Sequence, residues 1–327
     1  MSKVTLAISI SIATIIYSGT AAFQSIAADY PERPVRVIVA AAPGSGPDVG
    51  TRIVAAELAR QLGQQFVVDN RPGASGSIGM EMIARATPDG YTIGTGSITT
   101  LAINRSFLAK LPYDPDRDIQ PVSQYVVTPN ILAVTLSLPV KSVQELIDHA
   151  RKNPGKLLFA STGNGSNSHL SAEQFKRMTS TQITHVPYKG VPQGITDLIG
   201  GQVHLIFDSA NSIGAHVRAG RVRGLAVTTA KRSSTYPELP TVAESGVPNF
   251  EVVPWSGIVA PAGVSKAIIY RLNTEINRAL ATSTVKEKFA VLGSVPAGGT
   301  PEAFAAFIKR EVIKWAEVIK NANIKAD

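Results

Sequence analysis

The chain contains no cysteine. That excludes a disulfide framework, a thiolate metal site and a lipid-bearing cysteine behind a leader. Aromatic residues are scarce, at 6%, and the lysines and arginines are dispersed. A nucleic-acid binder would need a basic stripe with interleaved aromatics, so no nucleic-acid partner is expected. The five histidines form no His-Glu-x-x-His pair, so no metal site is expected. Past residue 28 no apolar run is long enough to cross a bilayer. What remains is a 327-residue chain, 44% hydrophobic and 17% charged, enough for two lobes with proper cores.

Residues 1–27 differ from the rest. Lys3 precedes an apolar run from Val4 to Ile16, followed by small residues ending in Ser25-Ile26-Ala27. This reads as a signal peptide cleaved after Ala27, which implies export. The formal net charge is +8, and +7 without Lys3, a balance that favours small anionic solutes.

The chain is organised around Val35 to Arg60. Val35, Val37, Ile38 and Val39 form the short β-branched run of a buried parallel strand. Pro43-Gly44-Ser45-Gly46-Pro47-Asp48 breaks it, and Ile53, Val54, Ala56, Leu58 and Leu62 then recur at helical spacing, which predicts a helix starting near Asp48. Glycines ahead of a helix let the backbone approach a ligand, and first-turn N–H groups can donate to an anion. The unit recurs at Phe66 to Gly76 and at Tyr91 to Thr100, where Ser97 and Thr99 lie in a third polar loop. Three such units imply a parallel sheet with its ligand crevice beyond the carboxyl ends of the strands.

A break at Leu111 to Pro115 leads to strands around Pro129, read as a crossing into a second lobe. There Ser142 and Glu145 match a capping box. Strand Leu157 to Ala160 runs into Ser161-Thr162-Gly163-Asn164-Gly165-Ser166-Asn167-Ser168, and a helix begins at His169. This is a second anion-type loop. A strand ends at Asp208, and Phe250 to Ala260 is read as the crossing back. The fold class is α/β: two lobes, each a mainly parallel sheet flanked by helices, with 28–128 plus 256–327 as lobe 1 and 129–255 as lobe 2. A shared cleft between them is the expected ligand site.

Many of these segments resemble the substrate-binding receptors of tripartite tricarboxylate transporters, the Bug receptor family. The resemblance runs from Tyr30 to the C-terminus. It is carried by Asn70-Arg71-Pro72-Gly73, Pro88-Asp89-Gly90-Tyr91-Thr92, Leu111-Pro112-Tyr113-Asp114, Ala160-Ser161-Thr162-Gly163, His185-Val186-Pro187-Tyr188-Lys189-Gly190, Leu239-Pro240-Thr241-Val242 and Ala260-Pro261-Ala262-Gly263. It implies a type II periplasmic binding-protein clamshell that closes on a small carboxylate or acidic amino acid. It also implies no enzymatic activity, no cofactor, delivery to membrane permease subunits, and a monomer in the periplasm. By resemblance the ligand carboxylate is held by Pro43, Gly44, Ser45, Gly46 and Asp48 from the first loop. Ser161, Thr162, Asn164, Ser166, Ser168 and His169 hold it from the second, with Ser97, Thr99 and Asp208 toward its distal part. One departure stands out: the family's first loop reads Pro-Gly-Gly, and Ser45 replaces the second glycine. If that position needs positive φ, serine is disfavoured there.

Several residues keep two readings. Asp208 would repel an anion but suits an ammonium or protonated group on the ligand, or it caps the helix through Ser209 to Ser212. Asp48 also reads as a helix cap, His169 as a neutral donor to ligand or loop, and Lys189 as an anion attractor or a solvated side chain. A nicotinamide-dependent oxidoreductase is the main rival, through Gly44-x-Gly46 and Asp69, but the fingerprint spacing fails at Val49. A hydrolase built on Ser166, His169 and Asp208 is the other, although no Gly-x-Ser-x-Gly elbow is present.

Overall fold

The computed structural model describes residues 30–188 and 190–322. The expected signal peptide and Lys189 lie outside the described residues. The first lobe opens with β1 (Val35–Val39), α1 (Gly46–Leu62), β2 (Phe66–Asn70), α2 (Ser77–Ala84), β3 (Thr92–Ser97), a π-helical turn over Thr99–Ile103 and the short α3 (Asn104–Phe107). Strand β4 (Ile119–Val127) leads into β5 (Asn130–Val134) of the second lobe. There follow α4 (Val143–Lys152), β6 (Leu158–Ser161), α5 (Asn167–Thr179), β7 (Thr184–Pro187), α6 (Val191–Ile199), β8 (Leu205–Ser209), α7 (Ala210–Arg218) and β9 (Arg223–Val227). The chain returns through β10 (Trp255–Pro261) and ends with α8 (Lys266–Ala281), α9 (Ser283–Val291), β11 (Val295–Pro296) and α10 (Pro301–Ala322).

Two sheets result, ordered β11-β4-β10-β3-β1-β2 and β7-β6-β8-β5-β9. The β-loop-α repeats behave as expected: β1 pairs in parallel with β2 and β3, and β6 with β7 and β8. Both sheets are mainly parallel in strand direction: β10 and the short β11 run against the other strands of the first sheet, and β5 runs against the other strands of the second. β5 and β10 are entered by direct passage between lobes without a helical crossover, so nothing forces them into the parallel direction. At the crossing, the Thr128 N–H donates to the Pro254 carbonyl at 2.8 Å, and the Thr128 and Ser294 hydroxyls meet at 2.9 Å.

Local chemistry explains the element ends. Gly63 terminates α1 in the left-handed region, at φ 70°. The Ser142 hydroxyl accepts from the Glu145 N–H at 3.1 Å, and Glu145 reaches back to the Lys141 N–H at 2.7 Å. One apolar core is continuous between lobes, running from Ile38 and Trp255 to Leu132, Phe175 and Phe207. The C-terminal α10 lies against α5 of the second lobe. Its Glu311 anchors that junction, accepting from the indole N–H groups of Trp255 and Trp315 at 3.0 and 3.1 Å.

Candidate ligand-binding site

Between the sheets lies a cavity of about 500 Å³, within the usual range for small-molecule sites. The first helices of the β-loop-α units point their N-termini at it. Gly46 and Pro47 bring the start of α1, Asn167 and Ser168 that of α5, Val191 that of α6, and Asn211 and Ser212 that of α7. Each helix N-terminus carries roughly half a positive charge and partnerless amides. Among the described residues that line the cavity, Asp208 is the only ionisable one.

The first loop is shaped by Asp48 from behind. Helix α1 starts at Gly46, two residues before the expected position, so Asp48 falls in its first turn. Its carboxylate accepts from the Gly44 N–H at 2.8 Å, Arg52 at 3.0 Å and Asn70 at 2.9 Å. Burial alone would raise its pKa, but these donors outweigh burial and hold it below the usual carboxylate value. Gly44, Ser45 and Gly46 line the cavity, whereas Asp48 and the exposed Pro43 do not.

Beneath this loop is a buried hydroxyl network. Thr51 Oγ1 lies 2.6 Å from Thr95 Oγ1 and 3.1 Å from the Tyr125 hydroxyl, and both Thr51 and Tyr125 donate to the Pro47 carbonyl, at 2.6 and 3.1 Å. Burial pushes the Tyr125 hydroxyl up to about 12. Tyr125→Phe should therefore lower stability by about 1–2 kcal/mol, the usual range for a lost buried hydrogen bond. It should also slacken the loop. Urea unfolding tests the first effect, and an unchanged midpoint would show that the hydroxyl holds nothing.

The second loop is braced by two imidazoles. The rings of His169 and His185 stack 4.0 Å apart at 8°, and Phe159 stacks on His185 at 4.7 Å. His185 Nε2 lies 2.5 Å from Ser161 Oγ, and His169 Nδ1 accepts from the Gly165 N–H at 3.1 Å. Burial lowers the pKa of His169 to about 3, helped by the neighbouring His185 and Lys176, and burial with Lys176 lowers His185 to about 4. Both rings are neutral at pH 7. His169 is thus an acceptor for the loop, and the expected donor role is corrected. Ser161, Asn164 and His169 do not line the cavity, while Thr162, Ser166 and Ser168 do. Ser166 caps α5 by accepting from the His169 N–H at 3.3 Å, and the Ser168 hydroxyl accepts from the Thr162 N–H at 3.0 Å.

Ser97 and Thr99 reach the cavity at the start of the π-helical turn, and Asp208 reaches it from the end of β8. Burial raises the Asp208 pKa to about 6, only partly offset by the Ser209 backbone and the Ser212 side chain. The rival chemistries lack their geometry. His169 spends Nδ1 on Gly165 and turns Nε2 toward Glu173, 3.8 Å away, so it is no base for Ser166. Asp69 is bound by Arg36 and Arg71, which occupies the carboxylate a ribose would need.

A description of the tripartite tricarboxylate transporter family receptor matches residues 51–324. The chain belongs to that receptor family. It is 37% identical to the protein BugT of Bordetella pertussis over 313 residues, spanning 95% of this chain and 96% of the relative. Among solved structures it is similar to Rpa4515 of R. palustris with adipate, at 40% identity and a TM-score of 0.84, covering 90% of this chain and 99% of that one. It is also similar to MatC of Rhodopseudomonas palustris with bound malate, at 30% identity and a TM-score of 0.79, covering 89% and 100%. The periplasmic binding protein BugD matches at 33% identity and a TM-score of 0.80, over 91% and 100%. This tripartite tricarboxylate transporter receptor is a solute-binding protein and not an enzyme.

The receptor's departure at Ser45 costs no backbone strain. Gly44 alone takes positive φ, at 76°, while Ser45 is extended at φ −70°. The receptor's cavity also has walls that local sequence patterns did not indicate: Val126 and Thr128 from the crossing, Asn211 and Ser212 from α7, Pro254, Trp255 and Ser256 from the return, and Leu292 after α9. A Cβ added to Gly46 would lie 3.0 Å from Asn211 Nδ2, so the lobes meet across the cleft there.

Proposed function

We propose that this receptor is exported to the periplasm, captures a small carboxylate in the interlobe cavity as a monomer, and hands it to the permease subunits of a tripartite tricarboxylate transporter. The observation that carries the reading is the convergence of four helix N-termini and the hydroxyls of Ser97, Thr99, Thr162, Ser166 and Ser168 on one cavity. Such a site stabilises an anion without a cationic side chain. The similar structures with adipate and malate support the same class. Gly44, Ser45, Gly46, Thr162, Ser166 and Ser168 hold the carboxylate, Ser97, Thr99 and Asp208 face the rest of the ligand, and Asp48, Ser161, Asn164 and His169 shape the loops.

Binding favours the closed state because only there do both loops touch the ligand. The lobes 28–128 plus 256–327 and 129–255 would move about the Thr128 and Pro254 crossings. A thermal-shift screen of refolded protein against carboxylates and NAD tests the reading. Ligand at about 100 times its dissociation constant stabilises by about 2.7 kcal/mol, which moves the melting temperature measurably. A shift by NAD alone would overturn the reading. Ser166→Ala should weaken binding of the carboxylate so identified and, through loss of the α5 cap, lower stability by about 1 kcal/mol. An unchanged dissociation constant in calorimetry removes Ser166 from the site.

A further inference from the structure

Ser97 and Thr99, two first-lobe residues that line the cavity, stand at the head of the π-helical turn over Thr99–Ile103. Such wide turns are rare and recur at functional sites. The widening shows in the backbone, where the Asn104 N–H donates to the Thr99 carbonyl five residues back. Two carbonyls within the turn accept from side chains. The Tyr113 hydroxyl donates to the Thr100 carbonyl at 3.0 Å, and Arg105 Nε donates to the Leu101 carbonyl at 2.9 Å. Arg105 is held in turn by Asp116, at 2.5 Å. At the head of the turn, the Ser97 N–H donates to Thr100 Oγ1 at 2.9 Å.

Tyr113 and Asp116 belong to one short segment, the Leu111-Pro112-Tyr113-Asp114 run and the residues after it, none of which lines the cavity. Asp114 knits that segment into shape. Its carboxylate accepts from the N–H groups of Asp116 and Arg117 at 3.0 and 3.3 Å, and its own N–H donates to Asp118 at 2.8 Å. The segment therefore delivers two braces to one turn, Tyr113 directly and Asp116 through Arg105. An α-helical turn in place of the π-helical one would rotate Thr99 by about 100° relative to the helix that follows. We infer that Tyr113 is a positioning residue for the bound solute: with Arg105 it keeps the turn wide, so that Thr99 faces what the cavity holds. The inference rests on the reading that Thr99 faces the ligand.

Hydrogen exchange and a double-mutant cycle test it on refolded protein. In the ligand-free receptor, Tyr113→Phe should speed amide exchange over residues 99–105 by about tenfold and leave β6 unchanged. Unaltered exchange there overturns the inference. For binding, adipate, malate, glutarate, citrate, benzoate and L-glutamate are screened by thermal shift, and the acid with the largest shift is titrated by calorimetry. Tyr113→Phe should weaken that acid by about tenfold, but by less than about twofold once Thr99 is replaced by alanine, because a brace that acts through Thr99 then has nothing to position. Losses that simply add in the double variant, or an affinity that Tyr113→Phe leaves unchanged, overturn the inference and leave the carboxylate reading in place. If none of the acids shifts the melting temperature, the carboxylate reading falls and this inference with it. Should Tyr113→Phe fail to fold, Arg105→Gln is put through the same measurements, and the same outcomes decide.

Discussion

Acidification from pH 7.5 to pH 4.5 should cost the ligand-free receptor on the order of 3 kcal/mol of stability. The stacked histidines behind the second loop are the cause. Their folded-state pKa values lie near 3 for His169 and 4 for His185, well below the unfolded value of about 6.5. The unfolded chain therefore takes up protons that the fold refuses. The stability they confer is complete above pH 6.5 and is lost as pH falls toward 4. Each contributes about 2.5 kcal/mol over that window, less for the half-buried His185. Asp208 acts in the opposite direction, because its raised pKa returns about 2 kcal/mol as it protonates. His204 and His216, lowered by burial, add to the histidine side. The lowered aspartates, Asp48, Asp69 and Asp118 among them, lose their contribution chiefly as pH falls below their ordinary value of 3.8, outside this window.

Urea midpoints at half-unit pH steps measure this slope. His169→Gln keeps an acceptor for the Gly165 N–H but cannot titrate, so with Asp208 offsetting most of the remaining His185 contribution its curve should fall by less than about 1 kcal/mol. Equal slopes for the two proteins would remove the stack as the cause. The stack also serves the site. While both rings are neutral they fix Ser161 and Gly165, and Gly165 in turn packs so tightly on Phe107 of the first lobe that an added Cβ would sit 2.5 Å from the ring. Acid should therefore loosen ligand binding before it unfolds the chain.

The parts of this receptor legible in its sequence are those encoded locally. Strand, glycine and hydroxyl loop, and helix follow one another along the chain, so β1 with α1 and β6 with α5 could be placed, and with them Gly44, Gly46, Thr162, Ser166 and Ser168. What escaped is set by pairing between distant segments. Ser161 depends on His185 because β6 and β7 align Phe159 with His185, a register no local pattern specifies. Tyr125 supports the first loop from β4, 78 residues beyond the Pro47 carbonyl it holds. Trp255 and Leu292 reach the cavity only because β10 and the end of α9 return to the first lobe. Ser45 shows the opposite case, where a local worry dissolved: a loop with one left-handed residue needs one glycine there, and Gly44 supplies it. Asp48 kept a polar role but a different one, since the helix began early enough to turn its carboxylate back on the loop.

Asp208→Asn should stabilise the ligand-free receptor at pH 8, although it removes a group from the site. Burial raises the Asp208 pKa from 3.8 to about 6, so the ionised form is destabilising in the folded state. Because the folded pKa lies above the unfolded one, the wild type loses stability as pH rises from about 4 to 6 and stays at the lower level above. The neutral asparagine avoids that loss. Its gain should approach about 3 kcal/mol at pH 8, less whatever the Ser209 and Ser212 donors lose with a weaker acceptor, and shrink to under about 1 kcal/mol near pH 4. Paired thermal melts at the two pH values test this. A variant that melts below the wild type at pH 8, or by the same margin at both values, would show that the carboxylate is satisfied within the fold.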